Sequence, residues 1–227
     1  MNFKNAYLAS GLVAATMIIA PASAEQTERV TLSAMGGHMM GNPLARHKLT
    51  EYMSYTCNHC AAFEKDSHDA LKTNFVRKGY ISLEIRNLIL NPIDLTAAML
   101  ARCGGRTKFF GNHHALLTKQ SDWLKKFQST SPKIMKTLND GTVPERLKKI
   151  AKAAGLDTLM QGRGYTAGQI DACLSNKVEQ DKILAMTKYA RDTLKLSGTP
   201  SFTLADKPLE NVHSWAALRP KLLTLPQ

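Results

Sequence analysis

Two cysteines separated by two residues, Cys57 and Cys60, lie where a strand-like segment meets a helix-like one. The segment before them, residues 47–55, carries the larger apolar residues typical of a strand. After Cys60, apolar residues recur at helical spacing, and Gly79 marks the expected end of that helix. Residues 81–85 then alternate between apolar and polar side chains. This strand–helix–strand order, with a cysteine pair at the first junction, predicts an α/β fold.

The rest of the chain changes pattern twice. Residues 29–55 are strand-like and broken by glycine turns, whereas residues 94–191 show helical spacing with little β-type alternation. A strand pattern returns at residues 200–204, and an amphipathic helix closes the chain. An α/β domain interrupted by a helical insertion explains this order better than two consecutive domains. The predicted helices of the insertion cover residues 94–103, 108–119, 144–154, 167–174 and 178–195. After residue 204 we predict a turn at 205–208, an extended piece near 209–212 and a helix over 215–223.

The N-terminal residues indicate export. Lys4 precedes an apolar stretch from Ala6 to Ala20, and Ala22-x-Ala24 fits the small-residue pattern at which signal peptidase cuts. Residues 1–24 are therefore predicted to be a cleaved secretory signal peptide. A membrane anchor is the alternative, but the stretch is short for a bilayer and rich in small residues.

The net charge of +12 raises the question of nucleic-acid binding. Export argues against that class of partner, and the lysines are spread along predicted helix faces, as at Lys125-Lys126 and Lys148-Lys149. We therefore expect a solvated basic surface and no nucleic acid. Attraction to anionic envelope surfaces or to acidic client proteins is the functional alternative.

The cysteine pair itself predicts thiol–disulfide exchange. At the start of a helix, unpaired backbone N–H groups stabilise a thiolate, so Cys57 is expected to be the nucleophile. His59 can add a hydrogen bond or a positive charge to that thiolate, and Cys60 would be the more buried, resolving thiol. Catalysis would pass through a mixed disulfide between Cys57 and a client protein, with no cofactor other than the redox-active Cys57–Cys60 disulfide.

Two other uses of the pair are possible. It could be half of a zinc site completed by Cys103, Cys173 or the His113-His114 pair. Structural zinc sites usually supply a second closely spaced pair, and this chain has none, so no metal is expected. It could also be an inert structural disulfide.

Two motifs carry a resemblance to a known family. Glu51-x5-Cys57-Asn58-His59-Cys60, and Gly198-Thr199-Pro200-Ser201-Phe202 near the C-terminus, resemble the DsbA-like thiol:disulfide oxidoreductases. The resemblance covers residues 40–223 and implies a thioredoxin-like fold with an inserted all-helical subdomain. On that fold, residues 25–93 and 191–227 are the two parts of the thioredoxin-like domain and residues 94–190 are the insertion. The family's usual middle dipeptide is Pro-His, so Asn58 is a departure at a position that sets thiolate stability.

The resemblance also assigns roles. It implies that the Thr199–Pro200 peptide bond is cis and faces the cysteine pair, where the Thr199 backbone can pair with an extended client beside Cys57. It implies that Glu51 is a buried acid that assists proton transfer from Cys60. The alternatives are an ordinary turn proline and a glutamate that faces solvent.

The predicted signal peptide and the resemblance together imply a bacterial periplasmic oxidase, which we expect to be a monomer. Its clients would be unfolded or reduced exported proteins, and a membrane partner of the DsbB type would reoxidise it. A reductase, an isomerase or a non-catalytic peptide-binding chaperone on the same fold stays open.

The two remaining cysteines lie seventy residues apart in the predicted insertion. Cys103 ends one predicted helix and Cys173 sits late in another. In an oxidising compartment we predict that they form a structural disulfide. Two buried free thiols that act as small core residues are the alternative.

Overall fold

The computed structural model describes residues 29–226, so the predicted signal peptide lies outside the described residues. Within residues 29–226, no helix combines the length and the apolar character needed to cross a membrane.

A six-stranded sheet forms the centre of the molecule, with the strand order β1-β2-β4-β3-β5-β6. β3 and β4 run parallel, and the other neighbours are antiparallel. A parallel pair needs a crossover connection, which the first helix supplies. The strands are β1 (Val30–Leu32), β2 (His38–Met40), β3 (His47–Met53), β4 (Ile81–Asn87), β5 (Ser201–Leu204) and β6 (Lys207–Pro208).

The helices of the described residues follow the expected order, with α2 to α9 occupying the chain between β4 and β5. A π-helical turn, Lys72–Val76, extends α1 at its C-terminal end. The helices are α1 (Asn58–Leu71), α2 (Pro92–Ala101), α3 (Arg106–Thr118), α4 (Gln120–Gln128), α5 (Pro132–Thr137), α6 (Val143–Ala154), α7 (Leu156–Gly162), α8 (Ala167–Leu174), α9 (Lys177–Asp192) and α10 (Trp215–Leu223). This is a thioredoxin-like fold with a helical insertion, as predicted.

The alternation of β3 decides what each of its side chains meets. Leu49, Glu51 and Met53 share one face of the strand, and Tyr52 points to the other. Leu49 packs in one core cluster with α1 and α10, and Met53 packs in another with the insertion. Tyr52 packs with Ala190 of α9. Glu51 therefore lies beneath α1, between two apolar clusters.

Several short elements were not predicted. β2, α4, α5 and α7 have three to nine residues, too few to show a clear period, and they form because neighbouring elements pack on them. The hairpin after β5 also differs from the prediction. Ala205 and Asp206 both have positive φ, as a two-residue hairpin turn requires, so the returning strand is Lys207–Pro208 rather than 209–212.

A disulfide joins Cys103, just after α2, to Cys173 in α8. The two Cα atoms are 5.5 Å apart, and the bond closes a loop of 70 residues inside the insertion. The alternative of two free thiols is therefore wrong for this structure.

Candidate active site

The two cysteines of the pair have different surroundings. Cys57 is the N-cap of α1, with an extended backbone at φ −86° and ψ 118°, and its side chain is half-buried. Cys60 lies in the first helical turn and is fully buried. Both are free thiols in this structure. The fold thus presents one sulfur to solvent and keeps the other inside.

Because their surroundings differ, the Cys57 and Cys60 thiols have different pKa values. The hydrogen bond from the Cys60 thiol is the main cause that lowers the pKa of Cys57 to about 5. The Thr199 side chain and the backbone N–H groups of Cys60 and His59 act in the same direction, against the effect of partial burial. For Cys60, burial and the same hydrogen bond raise the pKa well above its ordinary value. Cys57 is therefore held as a thiolate near neutral pH while Cys60 stays protonated.

His59 contributes less through its side chain than the sequence predicts. The residue is exposed, and its contribution to the lowered pKa of Cys57 comes from its backbone N–H. Among the hydrogen bonds of residues 29–226, none joins the His59 imidazole to Cys57.

The Thr199–Pro200 segment lies directly beside Cys57. The carbonyl oxygen of Thr199 is 3.1 Å from the Cys57 sulfur, within reach of a hydrogen bond from the thiol. The peptide bond between Thr199 and Pro200 is cis. Because Ser201 pairs with Tyr52 in the antiparallel register of β5 and β3, the segment before β5 meets the loop that follows β3.

Glu51 is buried in the middle of the sheet, with 2% of its surface exposed. Burial raises the pKa of its carboxyl well above the ordinary value, and the nearby Glu64 and Cys57 add to the effect. The alternative of a solvent-facing glutamate is wrong, because β3 lies between β4 and β5 rather than at an edge. Glu51 also lines a small cavity of about 30 Å³, which has room for a water molecule.

Two residues that the sequence analysis did not single out hold the loop before Cys57. The Asp94 carboxylate accepts hydrogen bonds from the backbone N–H groups of Tyr55 (2.7 Å) and Leu90 (2.9 Å). Gln120 donates through Nε2 to the carbonyl oxygens of Tyr55 and Cys57, both at 2.8 Å. Both side chains are buried, so these bonds are shielded from water.

Asp94 and Gln120 differ in how visible they are in the sequence. Asn91-Pro92-Ile93-Asp94 has the pattern of a helix start, which hides the second role of Asp94 at the active-site loop. Gln120 carries no local signal, because its partners are 63 and 65 residues away. Burial raises the pKa of Asp94 to about 6 despite the hydrogen bonds that it accepts.

Comparisons with known proteins identify a family and solved structures with a similar fold. A family profile described as Thioredoxin matches residues 33–222. A solved protein-disulfide isomerase from Novosphingobium aromaticivorans shares 36% identity at a TM-score of 0.78, over 83% of this chain and 96% of that chain. The α-DsbA1 structure from Wolbachia pipientis, at 20% identity, shares the fold with a TM-score of 0.62 over 86% of this chain and 92% of that one.

Relatives known from sequence are longer than this chain. A Rickettsia bellii protein provisionally named a protein-disulfide oxidoreductase is 29% identical over 209 residues, 86% of this chain and 70% of the relative. A similarly named Rickettsia typhi protein is 28% identical over 82% of this chain and 61% of its own length. The chain thus spans about two thirds of these relatives, and it aligns with them over most of its own length.

Proposed function

This chain belongs to the thioredoxin family, as a DsbA-like member with a helical insertion, and we propose that it is a dithiol oxidase that introduces disulfides into client proteins. The clients are reduced or unfolded exported proteins in a bacterial periplasm. A membrane partner of the DsbB type reoxidises the cysteine pair, and the enzyme works as a monomer.

The observation that carries this proposal is the separation of the two thiol pKa values. The pKa of Cys57 is lowered to about 5, and that of Cys60 is raised. A stable Cys57 thiolate stabilises the reduced pair, so the disulfide form is a stronger oxidant. The low pKa also makes the Cys57 sulfur a good leaving group.

The proposed reaction moves two electrons from the client to the enzyme. A client thiolate attacks the Cys57 sulfur of the oxidised pair, which breaks the Cys57–Cys60 bond and forms a mixed disulfide. The Cys60 sulfur leaves as a thiolate and takes up a proton. A second client thiolate then attacks the client sulfur of the mixed disulfide, which forms the client disulfide and releases Cys57 as a thiolate.

We further propose that Glu51 supplies the proton that Cys60 takes up. Burial raises the pKa of the Glu51 carboxyl, which favours its protonated form, and the charge of Glu51 contributes to the raised pKa of Cys60. The cavity that Glu51 lines has room for a water that would carry the proton. The Thr199 carbonyl, beside the Cys57 sulfur, would accept a hydrogen bond from an extended client.

An isomerase is the second candidate, because the Novosphingobium aromaticivorans protein that shares 36% identity carries that name. An isomerase must attack wrong disulfides in its reduced state, whereas an oxidase must keep its own disulfide ready for transfer. A peptide-binding chaperone is a further alternative, in which Cys57→Ser would leave the biological function intact.

The redox potential of the Cys57–Cys60 pair tests the oxidase proposal. Residues 25–227 are equilibrated with glutathione buffers, and the reduced fraction is read by thiol alkylation. A value near about −120 mV supports an oxidase, and a value near about −270 mV would place the protein with thioredoxin-like reductants and refute it. Asn58→Pro, which restores the family's usual dipeptide, is the matched comparison for the effect of Asn58.

A further inference from the structure

Away from the cysteine pair, three potential metal ligands from two helices converge on one point. Glu64 and His68 are four residues apart on α1, so they share a face of the helix, and His114 reaches them from α3. The Glu64 Oε1 atom is 2.7 Å from His68 Nδ1 and 2.7 Å from His114 Nδ1. Within residues 29–226, this is the one group of three such side chains whose donor atoms lie within 4.8 Å of one another.

The burial of the cluster is graded from inside to outside. The Glu64 side chain is 11% exposed, that of His68 is 33% exposed and that of His114 is 43% exposed. The negative charge therefore lies at the bottom of the cluster and the two imidazoles at its opening. A surface groove of about 540 Å³, lined by both histidines, gives an ion a way in and leaves room for a water ligand.

A fourth residue lies behind the carboxylate, at ion-pair rather than hydrogen-bond distance. His113 Nε2 is 3.7 Å from Glu64 Oε2, and His113 Nδ1 is 3.0 Å from the Tyr55 hydroxyl. His113 is buried, so this arrangement is shielded from solvent. Contacts of this kind, behind a ligand, set its orientation and support metal binding. They leave Oε1 turned towards His68 and His114.

We propose that Glu64, His68 and His114 form a binding site for a divalent transition-metal ion, with Zn²⁺ as the best match. Two imidazole nitrogens, one carboxylate oxygen and an open position for water form a donor set that Zn²⁺ favours. Zinc bonds of about 2.0–2.1 Å separate tetrahedral ligands by roughly 3.3 Å. The two carboxylate-to-imidazole distances of 2.7 Å would have to lengthen by about 0.6 Å, and the two imidazole nitrogens, which lie within 4.8 Å of each other, would have to take up the tetrahedral separation.

The proposed site uses no thiol ligand, and its link to the thiol chemistry runs through Glu64, which contributes to the raised pKa of Glu51. From the sequence, no metal was expected because Cys57 and Cys60 lack a second cysteine pair, whereas this cluster contains no cysteine. The site also differs from a zinc site built on the cysteine pair, since His114 pairs with side chains of α1 rather than with the cysteines. Failure of the oxidase proposal would leave this site unaffected.

Calorimetric titration of the oxidised protein with Zn²⁺ tests the site, because the oxidised pair cannot supply thiolate ligands. We expect one Zn²⁺ per chain, and an affinity at least about tenfold lower in His68→Ala and in His114→Ala. Both are partly exposed positions at which alanine should leave the fold intact. His47→Ala, at a histidine outside the cluster, is the matched control and should bind like the wild type.

Titration with Co²⁺ supplies a second readout. A four-coordinate nitrogen and oxygen site gives visible ligand-field bands without thiolate charge-transfer absorption, and Glu64→Gln should remove those bands. The proposal is overturned if the oxidised wild type shows no saturable Zn²⁺ binding, or if both histidine variants bind Zn²⁺ as tightly as His47→Ala.

Discussion

Removing the Cys60 thiol should raise the pKa of Cys57, because the hydrogen bond from Cys60 is the largest cause of its low value. A hydrogen bond to a charged group contributes about 1.5–3 kcal/mol. At 1.36 kcal/mol per pKa unit, its loss corresponds to roughly 1–2 units. Cys57 is half-buried, so water replaces part of the bond, and we expect a rise of about one unit, to about 6.

The comparison needs two variants at one position. Cys60→Ala removes the donor, whereas Cys60→Ser keeps a hydroxyl that can donate to the thiolate. The pKa of Cys57 is read from the ultraviolet absorbance of the thiolate as a function of pH, and independently from the pH dependence of its alkylation rate. The pKa of Cys57 should be near 5 in the reduced wild type, highest in Cys60→Ala and intermediate in Cys60→Ser.

Either of two results would refute this reasoning. A Cys57 pKa near its ordinary value of 9.0 in the reduced wild type would mean that the helix start and its donors do not stabilise the thiolate. A Cys57 pKa in Cys60→Ala equal to that of the reduced wild type would mean that the Cys60 donor is not the main cause. In the second case, Thr199 and the backbone N–H groups would have to account for the low pKa.

Three further predictions concern the groups around the pair. Glu51→Gln should slow the attack of Cys60 on a preformed mixed disulfide, the reverse of the step in which Cys60 takes up a proton, by about tenfold or more without abolishing turnover; an unchanged release rate in stopped flow would remove Glu51 from the mechanism. Gln120→Ala should lower the free energy of unfolding in urea by about 1–3 kcal/mol, because the buried Tyr55 carbonyl loses its donor, whereas the Cys57 carbonyl keeps the backbone N–H groups of Cys60 and Ala61; the exposed Gln128→Ala on the same helix is the control, and equal losses would contradict the role of Gln120. Asp94, with its pKa raised from 3.8 to about 6, keeps in the folded state a proton that the unfolded chain releases. Its contribution to stability is therefore complete below about pH 4 and is lost as the pH rises through about 6, by about 3 kcal/mol at most. Asp94→Asn should remove this part of the pH profile of unfolding, and a stability difference between wild type and variant that is constant with pH would be the opposite result.

Much of the framework around the cysteine pair was predictable from the sequence. The strands that became β3 and β4, the helix between them, and the position of Cys57 at its start all follow from spacing over a few residues. The segments that were missed, such as α5 and α7, are short helices stabilised mainly by packing. Their own residues therefore carry little periodic signal.

The site divides in the same way. The order of residues alone pointed to the cysteine pair, its helix start and the Thr199-Pro200 segment, because these are motifs of adjacent residues. Only the tertiary structure determined how buried the functional groups are and which groups support them. The burial of Glu51 depends on β3 lying inside the sheet, and the supports from Asp94 and Gln120 cross 39 and 65 residues of chain to Tyr55. The convergence of His68 and His114 on Glu64 likewise depends on how α3 packs against α1. Desolvation and hydrogen bonding are set by neighbours in space, whereas a sequence records only neighbours along the chain.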